Sequence, residues 1–434
     1  VSGCDLNPGA VGERLRAWGA QIRQGQDTAH IDSSISAVIA TAAVPFDHPE
    51  LVAARDARIP VLKRAQALGA LVNEGTVIAI AGTHGKTTTT AMTTAILAES
   101  GLQPTGFVGG RVPGWDSGLH RGSDQLFVVE ADEYDRSFLL LKPTVAVVTT
   151  LEADHLDIYG SLEGVEEAFR EFINLVSPGA GLIVACSDEP GVRRLLQRAP
   201  AYVDQLLYGT ESSAQLRAVN IEVRGRGSRM RVLERGADLG ELTLAVAGHH
   251  NIRNALAATA AALYLGASFP DAQRALARFT GVERRFQELG RAQGIVVVDD
   301  YAHHPTEIRA TLAAARAAYA GHRLVAVFQP HLFSRTRDFA AEFGAALATA
   351  DQVWVTDVYP ARETPIPGVT GRLVADAAQH ARAGRVQYEP DIERIAQRVQ
   401  AELRTGDVAL FMGAGSIDAA ARDLLQRLRM EVRP

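Results

Sequence analysis

Short apolar runs recur along the chain at residues 77–81, 126–130, 145–149, 181–185, 295–299, 324–328, 352–356 and 408–412. None of them alternates with polar positions. Such runs predict parallel strands buried on both faces. Between them, stretches such as residues 87–99, 254–265 and 306–320 predict helices. Strand and helix alternate nearly throughout, which predicts an α/β chain of mostly parallel sheets wound by helices. Residues 217–246 break the rhythm. There apolar and charged residues alternate around the turn-like Arg226-Gly227-Ser228 and Arg235-Gly236-Ala237-Asp238, which predicts antiparallel hairpins. Breaks near residues 71–75 and 281–290 divide the chain into expected domains at 1–72, 73–285 and 286–434.

Composition narrows the function class. Hydrophobic residues make up 47% and charged residues 22%, enough to bury several cores. The net charge of −6 provides no overall basic field for nucleic acid or an anionic membrane. No apolar run reaches the roughly 18 residues of a membrane span. Residues 1–10 have neither the charged nor the apolar region of a secretory leader. Cys4 and Cys186 are the only cysteines, read here as neither a disulfide framework nor a metal site, and they suit a reducing cytoplasm.

The most informative stretch runs from a buried strand through Gly82-Thr83-His84-Gly85-Lys86-Thr87-Thr88 into a helix. Glycines let backbone N–H groups close around phosphate oxygens, and a helix N-terminus adds partial positive charge. Lys86 would reach the β- and γ-phosphates of ATP, and the Thr87 hydroxyl would bind Mg²⁺. Lys86 is expected to be an exposed loop residue that adds little to packing. The general phosphate-loop spacing asks for a glycine where this chain has Ile80.

Two acidic runs follow other predicted strands: Glu130-Ala131-Asp132-Glu133-Tyr134-Asp135 and Glu152-Ala153-Asp154-His155-Leu156-Asp157. Strand C-terminal ends are where open α/β sheets bind ligands, and hard oxygen donors suit Mg²⁺. His250, Asn251 and Asn254 fall within one helical turn, so their side chains can converge; capping by Asn251 is the plainer alternative. Asp299-Asp300-Tyr301-Ala302-His303-His304 ends another strand. Adjacent histidines point apart and no third ligand is evident, so substrate or nucleotide contact is preferred to a metal site. Arg335, in a further post-strand loop, can hold a carboxylate or phosphate bidentately.

These motifs resemble the Mur ligase family. The run from Gly82 to Thr90 is similar to its phosphate loop, which also lacks the earlier glycine. The runs 130–138 and 152–161 resemble the alanine-adding branch. Residues 165–172 hold no lysine, whereas other branches carry a carbamylated lysine there. The resemblance implies a phosphate-loop central domain and a Rossmann-like C-terminal domain. It implies that Glu130 and His155 hold magnesium together with Thr87. It places His250, Asn251, Asn254 and Arg284 on the nucleotide, Asp300 on its ribose, and Tyr301 and His303 on the substrate side. Catalysis would then rest on Lys86, Glu130, His155, His303 and Arg335. Thr150 stands where many members have Asn, Ala302 where they have Gly, Leu332 where some have Arg, and Ser416 where they have Asp.

The implied activity is ATP-dependent joining of L-alanine to UDP-N-acetylmuramate through an acyl phosphate, in the cytoplasm. A murein-peptide recycling ligase and a nucleotide-binding regulatory module without ligase chemistry are the competing readings. Residues 1–6 match the family's second strand end, and 41–50 follow a later family stretch. The family's glycine-rich turn for the UDP pyrophosphate would therefore precede Val1. The expectation for the chain as written is normal ATP binding and poor binding of the nucleotide sugar.

Overall fold

The computed structural model describes residues 1–41, 44–381 and 385–430, with the side chain of Asp157 excepted. The 41–50 stretch crosses residues 42 and 43, which lie outside the described residues. The chain divides into two compact units, Val1–Glu74 and Gly75–Pro434.

In the first unit, Ser2–Asp5 pairs in parallel with Gln21–Gln24, and Val38–Ala40 with Val61–Lys63. Helices Gly9–Ala17, Pro49–Asp56 and Arg64–Val72 connect them. Pro49 and Glu50 open the second helix behind His48, whose ring accepts the Glu50 N–H. Proline is pre-organised for the first helical turn, and an acidic residue there complements the helix dipole.

Among the described residues, the second unit carries a ten-stranded and a six-stranded sheet. In the larger, Leu182–Cys186, Val145–Val148, Thr76–Ala81, Leu126–Glu130 and Thr105–Phe107 lie side by side and parallel. Ile78, Ile80, Val128, Val145, Val147 and Val184 face helices Lys86–Glu99, His249–Tyr264 and Phe269–Arg278. The intervening Val77, Ala79, Val129, Ala146 and Val148 are equally buried. Both faces are covered, which is why these strands read as unbroken apolar runs. Leu216–Arg224, Gly227–Glu234 and Ala237–Leu244 extend one edge as an antiparallel meander with alternating burial. The expected hairpins are present.

The smaller sheet has the order Gln287–Ala292, Ile295–Asp300, Asp407–Met412, Arg323–Phe328, Gln352–Val355, Arg385–Tyr388. Only the first strand is antiparallel, folded back as a hairpin. Val296, Val298, Leu324, Ala326 and Leu410 pack on one face, whereas Val297, Val325, Val327, Trp354 and Phe411 pack on the other. The α/β architecture read from the sequence is the one observed. Strands that left no clear signal in the sequence include Thr105–Phe107, Leu119–His120, Gln287–Ala292 and Arg385–Tyr388. Each is short or half-exposed and lacks a continuous apolar run.

Candidate active site

The loop after Thr76–Ala81 is shaped by two glycines. Gly82 has φ of 139°, and a Cβ there would lie 2.0 Å from the Thr149 hydroxyl. Gly85 is left-handed at φ 86°, and its Cβ would lie 2.6 Å from Asn254 Oδ1. Only glycine allows this backbone and this close approach. Ile80 lies within the strand, fully buried in the core, so the chain turns two residues later than the general spacing asks.

Neighbouring strand ends fix the loop. Thr83 N–H donates to the Thr150 carbonyl at 3.0 Å, and His84 N–H to the Thr150 hydroxyl at 2.7 Å. The Thr149 hydroxyl donates to the His84 carbonyl at 2.5 Å. Thr150 thus has a hydrogen-bonding task in the loop.

Lys86 is not the exposed residue expected from the sequence. Its side chain is 13% exposed, and Nζ donates to the Gly82 carbonyl at 2.7 Å and reaches Glu133 at 2.7–2.9 Å. Burial works against its charge, but Glu133, Asp132 and Glu130 outweigh that and raise its pKa. Burial pushes Glu133 up to about 7 against the pull of Lys86. The Thr87 hydroxyl donates to Glu130 at 2.8 Å, and the other Glu130 oxygen accepts Gly109 N–H at 2.6 Å. His155 is left-handed at φ 51° and sits 3.9 Å from both Glu133 and Asp154, with its Nδ1 buried and unbonded. Lys86 thus pairs with Glu133, which lies beside His155, and Thr87 pairs separately with Glu130. Oxygen donors converging beside a phosphate loop suit a hard divalent cation.

A cleft opens beside the loop. His84, Gly85, Thr87, Thr88, His250, Asn251, Asn254 and Asp300 line it, as do Arg285, Thr306 and Glu307. The N-terminus of helix Lys86–Glu99 thus faces a cavity, the arrangement that binds anions. Asn251 donates to the Ala247 carbonyl at 2.6 Å and accepts from Asn254 at 3.1 Å, so both amides are oriented within the protein. Burial holds His250 neutral, with a pKa of about 4. Asp300 accepts Phe286 N–H and Ala302 N–H, each at 2.7 Å, and burial raises it to about 6. Of the adjacent arginines, Arg285 lines the cleft. Arg284 donates instead to the carbonyls of Gly413 and Gly415, at 2.8 and 3.3 Å.

One wall of the cleft is an ionic clasp between the two sheets' loops. His84 Nε2 lies 3.4 Å from Glu152 and Nδ1 3.3 Å from Glu307. Burial opposes the imidazolium, but Glu307 and Glu152 raise its pKa to about 9. The Thr306 hydroxyl donates to Glu152 at 2.7 Å. Glu307 also accepts the backbone N–H of His303 and His304, at 3.0 and 3.2 Å. Half-buried His303 and buried His304 are neutral, desolvation lowering each to about 4. His303 Nδ1 lies 2.9 Å from the Tyr301 carbonyl, so that nitrogen carries the proton and Nε2 is left as an acceptor. Arg335 is buried and pairs with buried Asp154 at 2.5 Å, so its guanidinium is committed within the protein.

Glu133, Glu152, Asp154, Glu307 and Arg285 were not singled out from the sequence. The first three stand inside the two acidic runs, but spacing alone does not say which carboxylate faces the loop. Glu189 and Arg253, paired on the cleft wall, are 64 residues apart and carry no local signal.

Comparison with known proteins agrees with this geometry. Residues 1–76 match the model described as the Mur ligase family catalytic domain, 80–262 the Mur ligase middle domain, and 284–415 the Mur ligase glutamate ligase domain. The UDP-N-acetylmuramate–L-alanine ligase of Renibacterium salmoninarum is 45% identical over 99% of this chain and 90% of its own. The chain belongs to the Mur ligase family. The Mur ligase of the same name from Kineococcus radiotolerans is 46% identical over 99% of this chain and 91% of its own. Among solved Mur ligases, the UDP-N-acetylmuramate–alanine ligase of Thermotoga maritima superposes with a TM-score of 0.81. It is 28% identical, over 98% of this chain and 93% of that one. A murein peptide ligase of Psychrobacter arcticus has a TM-score of 0.71 at 24% identity, a likeness of fold alone, over 100% of this chain and 94% of that one. No helix among the described residues is long and apolar enough to cross a membrane.

Proposed function

We propose that this chain joins L-alanine to the lactyl carboxylate of UDP-N-acetylmuramate at the expense of ATP. The observation that carries this reading is the cleft itself. A phosphate loop with a charged buried lysine lies beside paired oriented asparagines, in a chain that matches alanine-adding Mur ligases along nearly all its length.

ATP would lie in the cleft with its phosphates on Gly82–Thr88 and its base toward His250, Asn251 and Asn254. Thr87, Glu130 and His155 would hold Mg²⁺, which would neutralise phosphate charge. Lys86 would leave Glu133 for the transferring phosphoryl group and stabilise its charge in a water-poor setting. The carboxylate oxygen of the sugar takes the γ-phosphoryl group, and ADP leaves. The amine of L-alanine then attacks the acyl carbon, the acyl–oxygen bond breaks, and phosphate departs. His303 Nε2 is an acceptor for the amine proton. Closure of the loops around the cleft protects the acyl phosphate from water.

The test offers L-alanine and the tripeptide L-alanyl-γ-D-glutamyl-meso-diaminopimelate together, with UDP-N-acetylmuramate, ATP and Mg²⁺, and identifies the amide by mass. The alanyl product supports the proposal. A tripeptide product assigns the chain to murein-peptide ligation, and absence of both products removes the ligase reading.

A further inference from the structure

Away from the cleft, in the first unit, three side chains from three elements meet. Cys4 lies on the strand Ser2–Asp5, His30 ends the 3₁₀ turn Thr28–His30, and Glu50 opens the helix Pro49–Asp56. Cys4 Sγ is 3.3 Å from both Glu50 oxygens, and His30 Nδ1 is 2.8 Å from Oε1. One ligand atom from each of the three lies within 4.8 Å of the others. Glu50 is buried and takes a further bond from Asp27 N–H at 3.1 Å. Neither cysteine was expected to join a metal site, because no local spacing announces one.

The geometry points to a Zn²⁺ site formed by Cys4, His30 and Glu50, with the fourth position open to water. Thiolate, imidazole and carboxylate are the donors this borderline ion takes, and three protein ligands plus a water is a common set. Bond lengths of about 2.3 Å to sulfur and about 2.0 Å to nitrogen and oxygen place tetrahedral ligands roughly 3.5 Å apart for S and O, and roughly 3.3 Å for N and O. The observed 3.3 and 2.8 Å are within about half an ångström of those spacings, so an ion enters with a small outward shift of His30. Hydrogen bonds from the thiol and the imidazole to one carboxylate occupy the place the ion would take. Binding expels the thiol proton, since only the thiolate ligates. The site would tie the strand end, the 3₁₀ turn and the helix start together.

The test titrates the full chain with Co²⁺ alone and then with Zn²⁺ alone. Cobalt should produce the near-ultraviolet thiolate-to-metal absorption at one equivalent, and zinc should displace it. Cys186 is 1% exposed in the core of the other unit, so the thiolate signal reports Cys4. Cys4→Ser, isosteric at an exposed position, should abolish the absorption. His30→Asn should weaken zinc binding by about tenfold or more, since losing even an outer-shell partner of a ligand costs that much. Folded protein that shows no thiolate absorption, an absorption that survives Cys4→Ser, or zinc affinity unchanged in His30→Asn would each overturn the proposal. Metal held instead by the cleft cluster His84, Glu152 and His304 would bind without a thiolate signal and counts against it.

Discussion

Glu307→Gln removes one charge from the clasp while keeping an acceptor for the His303 and His304 N–H groups. His84 and Glu307 are 12% and 13% exposed, so the loss is little screened by solvent. The imidazolium of His84 persists to about pH 9, against an ordinary value of 6.5. That difference corresponds to about 3 kcal/mol in favour of the charged ring. Glu307 and Glu152 share it, so the substitution should cost on the order of 2 kcal/mol. The sign follows from linkage. A histidine with a raised folded pKa contributes stability that is full below its unfolded value and is lost as pH rises through the folded value. The gap between wild type and variant should therefore be complete at pH 5.5, above the ordinary carboxylate range, and should shrink by about 1 kcal/mol or more by pH 10. Urea unfolding at the two pH values measures it, and ring-proton titration of His84 should show a midpoint well above 6.5 that falls in the variant. An equal gap at both pH values, or a His84 midpoint near 6.5 in the wild type, would refute the reasoning.

Lys86→Ala should abolish turnover in a phosphate-release assay and also lower stability in urea, since it strips Glu133 of its buried partner; adding Glu133→Gln should recover stability but not turnover. Arg335→Met leaves Asp154 a buried unpaired carboxylate and should cost about 3–5 kcal/mol. Adding Asp154→Asn should recover most of that stability, and if activity returns with it, Arg335 acts by positioning rather than by touching substrate. His155→Ala should raise the Mg²⁺ concentration needed for half-maximal activity; an unchanged midpoint with a lower melting temperature would make the residue structural.

The strands that carry the site were legible because both their faces are buried, and continuous apolar runs such as 77–81 and 145–149 result. The phosphate loop was legible because its glycines answer a local backbone demand, shown by Gly82 against Thr149 and Gly85 against Asn254. What stayed hidden depends on pairing across distance. Lys86 read as exposed because nothing local reveals Glu133, 47 residues on, as its partner. The clasp of His84 with Glu152 and Glu307 joins three segments that only the packed sheets bring together. Arg335 read as a free anion holder because Asp154, 181 residues earlier, gives no sign of facing it. Edge strands such as Gln287–Ala292 escaped because half-exposed hairpins need no apolar run.

The central claim is that the sugar's carboxylate takes the phosphoryl group before the amide forms. UDP-N-acetylmuramate labelled with ¹⁸O in the lactyl carboxylate, turned over with ATP, Mg²⁺ and L-alanine, tests it directly. Attack of the amine on an acyl phosphate leaves one carboxylate oxygen on the departing phosphate. Mass analysis should therefore find one ¹⁸O in each molecule of inorganic phosphate released. Alanyl amide accompanied by unlabelled phosphate would contradict the account.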